Sequence, residues 1–206
     1  LFQTADEYER LVSSPNQDEG GMSKRQLVAA ETQRGAIRLS QVNAGTDPID
    51  SVGGVSFRHL SMLAQIKSSD EDVWSSLNRS GHIQGDPNDS LRVRLTMMRN
   101  WIDGPHFPED ARLDIRSEIG KDAREHIGSD GLDFLVTLAG LLSECEWTDQ
   151  GIGEAISGAC DSTGLSRKDG FASIYWALIG RGHGPKASSL LFEMDREEIL
   201  SLLERS

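Results

Sequence analysis

The run Leu132-Asp-Phe-Leu-Val-Thr-Leu-Ala-Gly-Leu-Leu142 decides the fold. It is apolar nearly all round a 3.6-residue turn, the pattern of a helix at the centre of a bundle. It is also far short of the roughly 20 residues that a bilayer span requires. Toward the C-terminus the helical signals continue. Thr148 or Asp149 opens a helix carrying Ile152, Ala155, Ile156 and Ala159. Ser166 and Asp169 cap another, through Phe171, Ile174, Tyr175, Leu178 and Ile179. Gly180 to Pro185 is a sharp turn, with Pro185 suited to the first turn of a short helix. Asp195 and Glu198 then cap a last helix ending on Ile199, Leu200, Leu202 and Leu203.

Toward the N-terminus, residues 109–127 read as a helix interrupted near Gly120, preceded by a break at Gly104, Pro105 and Pro108. Before it, a helix runs from Asp89 or Ser90 through Leu91, Leu95, Met98, Trp101 and Ile102. Ser69 and Asp72 cap one bearing Val73, Trp74 and Leu77, and Phe57, Leu60, Leu63, Ala64 and Ile66 make a further apolar face. Residues 43–56 and 13–22 are loops. A helix is expected over about 23–42, and Thr4 with Glu7 forms a capping box ahead of Tyr8 and Leu11. No stretch alternates with period two for long enough to make a strand. The fold class is all-α, a compact cage or bundle of about eight to ten short helices with no fixed repeat.

The chain's 206 residues are enough to bury a core. Its net charge of −12 argues against nonspecific binding to polyanions. The charge is uneven: residues 1–100 hold 13 acidic and 11 basic groups, residues 101–206 hold 20 and 10. Arginine outnumbers lysine 16 to 5, and the guanidinium fork is the better match for phosphate or a base edge. No signal peptide or membrane span is read, so a cytoplasmic location is expected. Cys145 and Cys160 form no Cys-x-x-Cys pair and read as reduced, partly buried thiols.

Catalytic motifs fail one by one. The five histidines, at 59, 82, 106, 126 and 183, lack helical metal-site spacing, so no metal ligand is assigned. Asp86, Asn88 and Ser90 begin like a calcium loop, but Leu91 stands where that loop needs glycine. Gly180-Arg-Gly-His-Gly184 follows an amphipathic helix instead of a strand, so it reads as a turn between helices rather than a phosphate loop. No catalytic residue is expected in this chain.

Val55-Ser-Phe-Arg-His-Leu60, Gln65-Ile-Lys67, Arg99-Asn-Trp-Ile102 and Phe171-Ala-Ser-Ile-Tyr-Trp-Ala-Leu-Ile-Gly-Arg-Gly-His-Gly-Pro185 resemble the C-terminal part of class I lysyl-tRNA synthetases. Glu7-Tyr-Glu-Arg-Leu11 and Arg34-Gly-Ala-Ile-Arg-Leu-Ser40 look like the segments after that enzyme's catalytic core. The terminal glycine turn is also similar to glutamyl-tRNA synthetases. Two shorter echoes of class I signatures, His126-Ile-Gly-Ser129 and Met22-Ser-Lys-Arg25, stand in the wrong order and read as coincidence.

The resemblance implies a parent enzyme that activates lysine with ATP and magnesium and transfers it to tRNA-Lys. Its catalytic domain would lie upstream of this chain. Residues 1–45 would be connecting helices and residues 46–206 the helical anticodon-binding domain, inactive in chemistry alone. Anticodon bases are unstacked and can be held on aromatic or guanidinium planes, with register set by phosphate contacts. The expected tRNA-binding residues are Arg58, His59, Arg94, Arg99, Trp101, Arg181, His183 and Lys186. Arg92 and Arg99, seven apart, share a helix face; Arg94 does not, so at least one of the three is structural. Trp101 lies on the Leu91, Leu95, Met98 face, where core packing competes with base stacking. Trp74, Trp147 and Trp176 read as core or rim. Two rivals remain: the corresponding region of a glutamyl-tRNA synthetase, and a helical protein-interaction module without RNA.

Overall fold

Side-chain oxygens of Ser56, Ser69, Asn88, Thr148, Ser166 and Asp195 each accept a backbone N–H at a helix start. In the computed structural model, which describes residues 2–13, 23–40 and 54–205, the described residues form ten α-helices, one 3-10 turn and no strand. The fold is all-α, as the sequence predicts. None of the described helices is long and apolar enough to cross a membrane. The chain divides into two units, Leu1–Pro105 and His106–Ser206. The expected boundary at residues 45 and 46 lies outside the described residues, as do most of the two N-terminal loops.

The first unit holds α1 (Phe2–Ser13), α2 (Lys24–Ser40), α3 (Phe57–Ile66), α4 (Asp70–Arg79) and α5 (Asp89–Ile102). Ser69 accepts the Asp72 N–H and Asn88 the Leu91 N–H, each satisfying a donor that the helix start leaves open. Leu60, Leu63, Val73, Leu77, Leu91 and Leu95 are buried between α3, α4 and α5. The capping box expected at Thr4 and Glu7 is not formed. The helix already begins at Phe2, and Glu7 instead accepts from Gln3 one turn back. At α2 the Gln26 side chain takes the Ser23 N–H at 2.9 Å, the reciprocal half of a capping box.

The second unit holds α6 (Lys121–Glu144), α7 (Asp149–Thr163), α8 (Arg167–Ile179), α9 (Ala187–Glu193) and α10 (Arg196–Glu204). Ser166 and Asp195 cap α8 and α10 as the sequence predicts, and Thr148, one of its two alternatives, caps α7. Helix α6 packs on α7, α8 and α10 and buries Phe134, Leu135, Leu138 and Leu142 completely. It is not apolar all round in practice: Asp133 and Gly140 are exposed and Val136 is 48% exposed. The more fully enclosed helix is α8, with Gly170, Ser173, Ile174, Ala177, Leu178 and Ile179 buried. A β-carbon on Gly170 would stand 2.8 Å from the Cys160 sulfur and 3.2 Å from the Phe134 ring. Three helices therefore meet at that glycine.

Three further expectations are corrected. Residues 109–127 are not one interrupted helix. Only Glu109–Ala111 turn, as a 3-10 element, and the chain runs extended until α6 starts at Lys121. The reason is a distant partner: the Arg116 N–H donates to the Leu178 carbonyl at 2.9 Å, so this stretch makes no local helical ladder. Helix α6 breaks at Gly128, where φ is 68° and ψ 175°. Pro185 precedes the short helix instead of entering its first turn, since α9 starts at Ala187.

Both cysteines are free, Cys160 buried and Cys145 half-buried. Burial pushes both thiols up, which keeps them in the unreactive protonated form.

Candidate nucleic-acid interface

In the first unit the expected residues fall into two groups. Arg58 stands on the surface with its side chain 60% exposed. Its Nε donates to both Asp6 carboxylate oxygens at 3.0 and 2.8 Å, and the guanidinium lies 5.2 Å from the Phe2 ring centre. Phe2, Phe57 and Trp101 form an aromatic triplet with centroids 5.5 to 5.7 Å apart. Trp101 is thus half-buried against two phenyl rings. His59, also half-buried, stacks on His82 at 4.5 Å.

Arg94 and Arg99 are committed inward. Arg94 donates to the Val55 carbonyl at 2.9 Å and to Glu9 at 3.1 Å, with both side chains at or below 20% exposure. Arg99 donates to Asp70 at 2.8 Å and reaches the Ala64 and Lys67 carbonyls at 3.3 and 3.4 Å. Those carbonyls belong to the open C-terminal end of α3, where a cation is favoured. Arg92 lies 6.0 Å from the Trp74 ring and donates to the Pro87 carbonyl. Arg92 and Arg99 thus both lie against α4, as their seven-residue spacing implies, and Arg94 reaches α1.

In the second unit the glycine turn after α8 is tied down from several sides. Gly180 has φ 66°, and a β-carbon there would collide with the Arg116 guanidinium. Tyr175 donates its hydroxyl to the Pro185 carbonyl. Arg181 is half-buried and donates to the Asp110 carbonyl. His183 is exposed at the tip of the turn. Lys186, 67% exposed, pairs with Asp149, whose other oxygen accepts from Ser188 at 2.9 Å and Ser189 at 2.8 Å. Partial burial pushes the Asp149 carboxyl up, but the Lys186, Ser189 and Ser188 bonds outweigh it and hold it below its ordinary value.

One pair was missed by sequence reasoning. His126 on α6 stacks on Trp176 of α8 with centroids 3.9 Å apart and planes 15° apart. His126 lies two residues before the break in α6 at Gly128. The His126 Nδ1–H donates to the Asp122 carbonyl at 2.8 Å. Asp122 in turn accepts from Arg116, whose hydrogen bond holds its carboxyl below the usual range. Trp176 also adjoins the glycine turn, since a β-carbon on Gly182 would stand 3.3 Å from its Nε1. No local spacing joins positions 126 and 176.

The described residues thus offer exposed cations and aromatic planes, and no group of three or more His, Cys, Asp or Glu among them could hold a metal. Comparison with known proteins agrees with a recognition role. The lysine–tRNA ligase of Pyrococcus horikoshii is 24% identical over 176 residues, covering 81% of this chain and 32% of that protein. Those of Methanopyrus kandleri and Methanocaldococcus jannaschii are 26% and 24% identical over 220 and 209 residues, covering 98% and 95% of this chain. The chain spans about a third of the length of these relatives. The family model described as the anticodon binding domain matches residues 89–206, from the start of α5 through the whole second unit. With more than half its length inside that match, the chain belongs to the anticodon-binding-domain family.

Proposed function

We propose that this chain is the anticodon-recognising, C-terminal part of a class I lysine–tRNA ligase. The observation that carries this reading is the anticodon-binding-domain match over residues 89–206, joined to relatives that are all lysine–tRNA ligases. The ligase attaches lysine to tRNA-Lys in the cytoplasm, using ATP and magnesium in a catalytic domain that is not among the described residues. None of the described residues is assigned to that chemistry. Residues 1–45 connect toward the catalytic domain and residues 46–206 carry recognition, with α1 seated on α3.

Recognition works by selection. The anticodon loop is held so that the acceptor end of the same tRNA reaches the active site, and bound tRNA is discriminated before chemistry. Among the expected contacts, Arg58, His183 and Lys186 are the exposed groups best placed to reach phosphates. Arg58 and Lys186 would exchange a surface carboxylate for a phosphate, an exchange that costs little. His59, Trp101 and Arg181 sit half-buried beside them and shape the surface, while Arg94 and Arg99 hold the first unit's helices in register.

The test is binding of this chain to a tRNA-Lys transcript across a salt series. The logarithm of the binding constant is expected to fall linearly with log salt, by about 0.7–0.9 per neutralised phosphate. Binding absent at low salt, with the chain folded and helical, would refute the reading and favour a protein-interaction module.

A further inference from the structure

The paired rings of His126 and Trp176 lie outside the buried core. His126 is exposed, and the indole covers one face of its imidazole at 3.9 Å. Among the described residues no ring stacks on the other face. A half-exposed indole topped by an exposed imidazole leaves π-surface in water that burial would otherwise remove. Three features border the rings. The Asp122 carbonyl holds Nδ1, Gly182 leaves room for the indole edge, since a β-carbon there would stand 3.3 Å from Nε1, and α6 breaks two residues after His126. A flat, pre-oriented aromatic plane open on one side is what an unstacked base requires, since every base has a π-face. The surroundings favour nucleic acid over a basic or purely apolar partner. Arg116 pairs with the carboxylate of Asp122, the residue whose carbonyl holds the imidazole, and Arg181 and His183 stand on the turn that adjoins Trp176.

We propose that the open face of His126, backed by Trp176, is a stacking platform for one unpaired nucleobase of the bound RNA. The inference rests on the tRNA-binding reading above and adds to it a specific contact. The platform is sequence-tolerant, because stacking reads the plane of a base and not its edge. It therefore supplies affinity and loop geometry, while discrimination among anticodons comes from other contacts.

The test uses the whole 206-residue chain and tRNA-Lys transcripts carrying 2-aminopurine at single anticodon-loop positions. Binding of the unaltered chain should quench the probe at one loop position. His126→Ala should abolish that quench and weaken binding by roughly 5- to 100-fold, with an unchanged helical spectrum. His126→Phe, which keeps a plane and loses the imidazole nitrogens, should restore both. Equal affinity and quench in His126→Ala would overturn the platform while leaving the tRNA-binding reading intact. Failure of His126→Phe to restore binding would also overturn it, since a contact through the nitrogens is not a stack. If the unaltered chain bound no tRNA, the broader reading would fall, and the platform with it.

Discussion

Arg58 and Arg99 carry the same guanidinium, and sequence alone assigns both to tRNA; their surroundings separate them. Arg99 is 26% exposed and bridges Asp70 to the end of α3. Arg99→Ala leaves those carbonyls without their cation and should cost about 1–2 kcal/mol, read as a lower urea midpoint. Arg58 pairs with Asp6 across a surface where both side chains are over 40% exposed. Arg58→Ala should leave stability within about 0.5 kcal/mol, weaken tRNA binding and lower the salt slope by about 1. A variant that unfolds would instead place Arg58 with Arg99. Residue type and helix face were legible in the sequence, and the Arg92/Arg99 spacing correctly put both against one neighbour. Which acceptor each guanidinium meets was not, because Asp6, Glu9 and Asp70 are brought in by tertiary packing.

At the scale of elements, helix starts were legible because a cap is a local bargain between one side chain and the N–H groups just after it. Ser69, Ser166 and Asp195 cap as read, and Thr148, one of two starts offered for α7, is its cap. The extended stretch before α6 was not legible, since its backbone bonds to Leu178. Nor was the break at Gly128, where φ 68° and ψ 175° lie in a region open essentially to glycine. No atom lies within 4 Å of a β-carbon built there, so Gly128→Ala should cost about 1–3 kcal/mol from the backbone alone. Gly140, exposed in the same helix with equally open space, is the control: Gly140→Ala should stabilise by about 0.5–1 kcal/mol. Thermal denaturation of the two variants should move in opposite directions.

The joint between α7 and α9 carries a pH signature. Asp149 is held below its ordinary value when folded, so the unfolded chain binds the proton more readily. Its contribution is therefore full above about pH 4, the ordinary carboxylate value, and is lost as pH falls through the folded value. Asp149→Asn should cost about 1 kcal/mol at neutral pH, a modest figure because the carboxylate is 42% exposed. It should also flatten the acid limb of the stability profile below pH 4. An unchanged acid limb would show that other carboxylates govern it.

Over the whole molecule, the charge of −12 and the proposed RNA partner fit together only if cations are presented locally. Arg58 and Lys186 are exposed and each is matched to a carboxylate, so the free protein screens the cations that a phosphate would take over. Recognition by a few such contacts gives modest affinity and a clear dependence on salt. All-helical architecture was legible throughout, because helical periodicity and caps recur along the chain. The stacked His126–Trp176 plane was not, since it is made by residues fifty positions apart across a helix break. If this chain reads an anticodon, its affinity should move with a transplanted anticodon. Binding would be compared for tRNA-Lys, for tRNA-Lys carrying a foreign anticodon, and for an unrelated tRNA carrying the lysine anticodon, all at one salt concentration. Affinity that follows the lysine anticodon into the unrelated tRNA and is lost from the altered tRNA-Lys is the predicted result. Affinity that stays with the tRNA body whatever its anticodon would show that this chain does not read the anticodon.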